Sequence, residues 1–178
     1  VLEAVQAAIA TIGENMKFRG CARLTAPEGG VVGIYTHFNQ KAASLVALSL
    51  SGVKADADAA KSVVSDVCMH ITSCRPSGLK PEDLPADVIA REKEVYNDEV
   101  KNKPAEMQEK ILAGKLSKFF ATQCLTDQKF VKDEKQTIRQ YIDSALKTAG
   151  GSGQIVGFVR AELGSKPVCI NGTSFRND

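Results

Sequence analysis

The stretch Val31-Val32-Gly33-Ile34-Tyr35-Thr36-His37-Phe38-Asn39-Gln40-Lys41-Ala42-Ala43-Ser44-Leu45-Val46-Ala47-Leu48-Ser49-Leu50 decides the fold. Val31 to Phe38 is a β-branched and aromatic run, the composition of a strand. Asn39-Gln40-Lys41 breaks it, and Ser44 to Leu50 resumes with Val46, Leu48 and Leu50 on one face. A short polar break between two such runs predicts antiparallel neighbours. Upstream, Met16 and Phe18 alternate with Lys17 and Arg19, the period of a half-buried strand, and Glu28-Gly29-Gly30 is turn chemistry. The three runs together predict an antiparallel meander. Before it, Val1-Leu2-Glu3-Ala4-Val5-Gln6-Ala7-Ala8-Ile9 reads as a helix already under way, stopped at Gly13.

Downstream the period changes. Ala60, Val63, Val64, Val67, Cys68 and Ile71 form a helical stripe suited to covering one face of a sheet. Pro76, Pro81 and Pro85 punctuate its exit. Val88 and Ile89 recur as Val95 and Tyr96, a narrow apolar seam in a charged helix. Pro104 suits the start of a following helix that carries Leu112, Leu116, Phe119 and Phe120. Joined through Asn102-Lys103, these two helices read as a hairpin projecting from the sheet. Residues 124–134 are irregular; Ile138, Tyr141, Ile142, Ala145 and Leu146 restore helical spacing. After the flexible Gly150-Gly151-Ser152-Gly153, Gln154 to Leu163 reads as a closing strand, and the polar tail beyond Gly164 reads as frayed.

The predicted class is therefore α+β, a three- to four-stranded antiparallel sheet packed with helices and carrying an inserted helical hairpin. The expected layout assigns 1–15 to the end of an upstream helix, 16–84 to the first part of the core and 85–123 to the hairpin. It assigns 124–164 to the closing helix and strand, and 165–178 to a flexible tail.

Composition narrows the function. The chain has 178 residues, 43% hydrophobic and 25% charged, which is ordinary for a soluble globular protein. A net charge of +2, from 23 basic and 21 acidic residues, gives no footprint for nucleic acid or a membrane surface. The basic residues from Lys101 to Lys135 are interleaved with acids, the pattern of a solvated helix face. No apolar run approaches the ~20 residues of a membrane span. Five cysteines, Cys21, Cys68, Cys74, Cys124 and Cys169, show no C-x-x-C, and only His37 and His70 are available to complete a zinc site. Free buried thiols in a reducing compartment are the expectation. Asn171-Gly172-Thr173 fits a glycosylation sequon, a triplet common by chance.

Catalytic constellations are not legible. Ala113-Gly114-Lys115-Leu116 lacks the upstream glycine and the hydroxyl of a phosphate loop and falls within a helix. Cys68 sits on the apolar stripe, where a thiol is inert packing, and His70 lies just off it, at the helix surface or edge. Glu82-Asp83 adjoins a proline-rich turn without a partner. No cofactor or metal is expected, and no group assembles a nucleophile, a base and an oxyanion site. A thiol enzyme using Cys68 or Cys74 is the competing class.

Several segments in order carry a family likeness. They are Ile12-Gly13-Glu14-Asn15, Gly33-Ile34-Tyr35-Thr36-His37, Leu79-Lys80-Pro81-Glu82-Asp83-Leu84-Pro85, Lys110 to Phe120, Gln128-Lys129-Phe130-Val131 and Val156 to Glu162. Each is weak alone, but their joint order and spacing resemble the C-terminal two thirds of elongation factor Ts. That resemblance implies a nucleotide exchange factor that binds elongation factor Tu and displaces GDP without bond-making groups of its own. It implies partner contacts at Ile12, Gly13, His37 and Val131, with Phe130 in the core. The competing readings are plain packing for Ile12 and an ordinary strand-end histidine for His37. The hairpin resembles the family's coiled-coil or dimerisation insert, and the implied location is bacterial cytoplasm or an organellar matrix.

The departures shape a further expectation. The family's Thr-Asp-Phe-Val wedge is not in this sequence and would lie upstream of Val1; Lys129 stands for the usual Pro and Phe38 for the usual Gly. The chain alone is therefore expected to bind elongation factor Tu weakly and to exchange GDP poorly. The alternative is a truncated module that binds or dimerises without exchange.

Overall fold

The computed structural model describes residues 2–101, 104–171 and 173–176. The Asn102-Lys103 link and Gly172 of the sequon lie outside them. Helix α1 (Leu2–Ile12) is followed by β1 (Cys21–Leu24), β2 (Val31–Thr36) and β3 (Ala42–Ser51). Helix α2 (Asp58–Cys74) and a 3-10 turn (Pro81–Asp83) precede the arm, α3 (Ala86–Val100) and α4 (Ala105–Gln123). A small hairpin, β4 (Lys129–Phe130) and β5 (Asp133–Thr137), leads to α5 (Ile138–Thr148). Strands β6 (Ser152–Glu162), β7 (Val168–Ile170) and β8 (Thr173–Arg176) close the chain.

The main sheet runs β2-β3-β6-β7, with each neighbouring pair antiparallel. The two runs that opened the sequence reading form its first hairpin, from Val31 opposite Leu48 to Thr36 opposite Ala43. The meander ends there. β3 takes the distant β6 as its other neighbour, with Val46 opposite Phe158, so the longest ladder joins residues far apart in sequence.

Two expectations are corrected. Residues Met16 to Arg19 form no strand; β1 starts at Cys21 and pairs with β8, not with β2. The region after Gly164, expected to fray, carries β7 on the sheet edge and β8 on β1. The alternation at Met16–Arg19 falls outside any strand, with Phe18 exposed, and the partner of the strand that follows comes from the other end of the protein.

The inner face of the sheet carries Val46, Leu48, Ile155 and Phe158, covered by Val63, Val64, Val67, Cys68 and Ile71 of α2 and by Ile138, Ile142 and Leu146 of α5. This is the stripe predicted for α2. Helix α5 is capped by Thr137, whose hydroxyl accepts from the Gln140 N–H at 3.3 Å while the Gln140 side chain accepts from the Thr137 N–H at 2.9 Å. That reciprocal capping satisfies donors the helix cannot satisfy itself. The segment expected to be irregular is thus an ordered hairpin running into a capped helix.

The arm is held by a thin seam. Lys115 of α4 pairs with Glu99 of α3, and its ammonium lies 5.2 Å from the centre of the Tyr96 ring. Ile89 and Tyr96 are half-buried, whereas Val88 and Val95, predicted to share their seam, are exposed.

Candidate partner-binding surface

Val131 stands on a loop whose Gln128, Phe130 and Lys132 side chains are tied down. Gln128 and Phe130 point inward and are buried, while Val131 remains 45% exposed. The Phe130 ring stacks on Tyr141 of α5 with centroids 4.2 Å apart. Asp66 of α2 accepts a hydrogen bond from the Tyr141 hydroxyl at 2.5 Å and binds the Lys132 ammonium at 2.6 Å. The Val131 N–H donates to His70 Nδ1 at 3.2 Å. An apolar side chain held outward by a backbone fixed on both sides loses little freedom when a partner covers it.

His70 corrects the sequence reading. Its spacing puts it at the helix surface or edge, yet it is fully buried between α2 and this loop. Its Nε2 lies 2.9 Å from Gln128 Oε1, and Gln128 Nε2 donates to the carbonyl of Thr122 at 2.7 Å. Burial holds its pKa below the ordinary 6.5, partly opposed by the Gln128 bond. The stripe on α2 faces the sheet, and the loop covers a second side of the helix that periodicity alone leaves open.

The other expected contact residues sit on separate elements. Ile12 is the last residue of α1 and is 62% exposed. Gly13 caps that helix: its N–H donates to Ile9 at 2.8 Å and its φ of +78° lies in the left-handed region that glycine enters without strain. His37 is half-buried at the end of β2; its N–H donates to Ala42 at 2.8 Å and its Nδ1 is bonded to the Tyr35 hydroxyl at 3.2 Å. Phe38, read from the sequence as the end of the strand and as a departure from the family, lies instead in the turn after β2, is 87% exposed and packs against the His37 ring at 4.4 Å. Its signal was present: an apolar aromatic in a hairpin turn.

Of the cysteines expected to be buried, Cys68 and Cys124 are, whereas Cys21 and Cys74 are exposed. Burial pushes the Cys68 thiol up to about 11, against hydrogen bonds from Ser44 and Val46. Burial, with Asp127, Asp83 and Glu82 adding, pushes Cys124 up to about 12. Cys74 Sγ lies 3.6 Å from His70 Nδ1, but burial also raises its pKa, and that nitrogen already accepts from Val131. A thiol so placed stays protonated at neutral pH. Asp83, half of the acidic pair, accepts from the N–H groups of Leu79 and Lys80 at 3.2 and 2.9 Å, a turn-stabilising role. Among the described residues, no group of three or more His, Cys, Asp or Glu is placed to hold a metal, and no helix is long and apolar enough to cross a membrane.

A four-stranded antiparallel sheet backed by α2 and α5, with the α3–α4 arm inserted between those helices in sequence, defines an α+β domain with a helical insertion. Residues 1–165 match the model of one family, described as elongation factor TS. Elongation factor Ts of a Nitratiruptor species is 42% identical over 165 residues, covering 91% of this chain and 53% of that protein. Elongation factor Ts of Nautilia profundicola is 38% identical over the same shares, and that of Chlamydia caviae is 39% identical over 155 residues, 87% of this chain and 53% of its own. The chain belongs to the elongation factor Ts family. It spans about half the length of the curated relatives it matches.

Proposed function

We propose that this chain carries part of the surface by which a guanine nucleotide exchange factor grips elongation factor Tu and hastens release of GDP. Family membership across residues 1–165 supports the partner, and Val131, exposed on a pinned loop, is the observation that carries the contact. Ile12, Gly13 and His37 complete the contact set. The action is linkage: a factor that binds the nucleotide-free GTPase more tightly than the loaded one lowers nucleotide affinity by the same ratio. It needs geometry and no covalent step. The proposed setting is a bacterial cytoplasm or an organellar matrix, which fractionation of the source cells would test.

Val131→Ala is expected to weaken the complex about five- to thirtyfold, the range for losing an interface anchor worth ~1–2 kcal/mol. Its thermal midpoint should fall only slightly, because nearly half of the residue already faces solvent. Release of mant-GDP from elongation factor Tu, titrated with each protein, reads the effect. Unchanged titrations would sink the assignment of Val131.

The exposed Val88, Val95 and Met107 on the arm support a second role for it, self-association. Light scattering behind gel filtration should show a dimer that dissociates in Val95→Glu. A parent protein that is monomeric at tens of micromolar would remove that role.

A further inference from the structure

The geometry points to His70 as a positioning residue that sets the Val131 contact from behind, through its buried ring. This rests on the reading of Val131 as a partner contact. Gln128 fixes the ring's tautomer. Its amide nitrogen faces the carbonyls of Thr122 at 2.7 Å and Cys74 at 3.5 Å, so its oxygen faces His70 Nε2 at 2.9 Å. An oxygen acceptor there requires the proton on Nε2, leaving a lone pair on Nδ1. That lone pair accepts the Val131 N–H at 3.2 Å. The ring thus runs one chain of hydrogen bonds from the α4 terminus, through Gln128, to the backbone of the residue that faces outward.

The arrangement is specific to one atom of the ring. The Phe130 ring lies 6.3 Å away and contributes packing, not polarity. Neighbouring Lys132 is held separately by Asp66. Val131 is the point in the loop whose N–H depends on His70, and without that acceptor the N–H must turn toward water and carry the side chain with it.

Two substitutions separate positioning from packing. His70→Asn places an amide oxygen near the Nδ1 position and keeps an acceptor for Val131. His70→Gln reaches toward Gln128 but leaves the Val131 N–H without an acceptor. Both shrink the same buried ring, so their thermal midpoints should fall by similar amounts. Affinity for nucleotide-free elongation factor Tu should differ: His70→Gln loses about five- to tenfold, while His70→Asn stays within about twofold of the parent. Placed in a Val131→Ala background, His70→Gln should cost little more, because the side chain it positions is gone.

Equal affinity losses in the two variants, tracking their midpoints, would reduce His70 to packing and overturn the proposal. Full additivity with Val131→Ala would overturn it as well. Should Val131→Ala alone leave binding intact, the contact reading fails and takes this inference with it. Unequal His70 variants beside an effective Val131→Ala are the pattern that upholds it.

Discussion

Phe158→Ala is expected to remove about 3–5 kcal/mol of folding stability, a large share of the ~5–15 kcal/mol that native proteins hold. Phe158 is fully buried and is the largest such side chain among the described residues. It stands on β6 opposite Val46 of β3, in the cluster that α2 and α5 close over. Truncation deletes a ring from the place where sheet and both helices meet, and three elements anchored through backbone ladders cannot all move inward to fill the space. Urea unfolding followed by circular dichroism would measure the loss. A shift below about 1 kcal/mol would show that this core repacks freely, contrary to its layered construction.

Gly33→Val is expected to cost about 3 kcal/mol or more and to disturb the partner surface along with the fold. A Cβ built on Gly33 would lie 2.6 Å from the Val64 Cβ, 2.8 Å from its Cγ2 and 3.1 Å from its backbone carbonyl carbon. The neighbour is the body of α2, so relief requires the helix to lift from the sheet. Lifting it strains Ser44, whose hydroxyl donates to the Cys68 carbonyl at 2.7 Å, and displaces His70 two residues on. Val64→Ala removes the Cγ atoms but keeps the Cβ at issue, so the double variant should remain destabilised. Thermal melts of the single and double variants, with mant-GDP release alongside, test both points. A Gly33→Val protein as stable as the parent would mean that α2 does not approach β2 as closely as the structure has it.

The glycine shows how sequence and structure divide the account. Its place in Gly33-Ile34-Tyr35-Thr36-His37 was legible as part of a family likeness, while its reason, the crossing of α2, was not. The candidate contacts divide the same way. Ile12, Gly13, His37 and Val131 were named from motifs, and the structure puts them on a helix end, a cap, a strand end and a loop. Their roles at a partner are a proposal. The support behind Val131 was invisible because His70, Asp66 and Tyr141 are 61, 65 and 10 residues away, by difference of residue numbers, and no local pattern reports such distances.

Alone, the sequence determined the period of the longer elements: strands at β2, β3 and β6, the apolar stripe of α2, the two-helix arm and α5. Those follow from side-chain spacing along one segment, which needs no knowledge of the rest of the chain. Tertiary structure decided which segments paired and which sides were covered. It gave β3 the distant β6, drew β1 to β8 in place of the expected meander, and buried His70 beneath a loop. Backbone hydrogen bonding is indifferent to sequence, so a strand's partner is chosen by how all the apolar faces close together. That closure is a property of the whole chain.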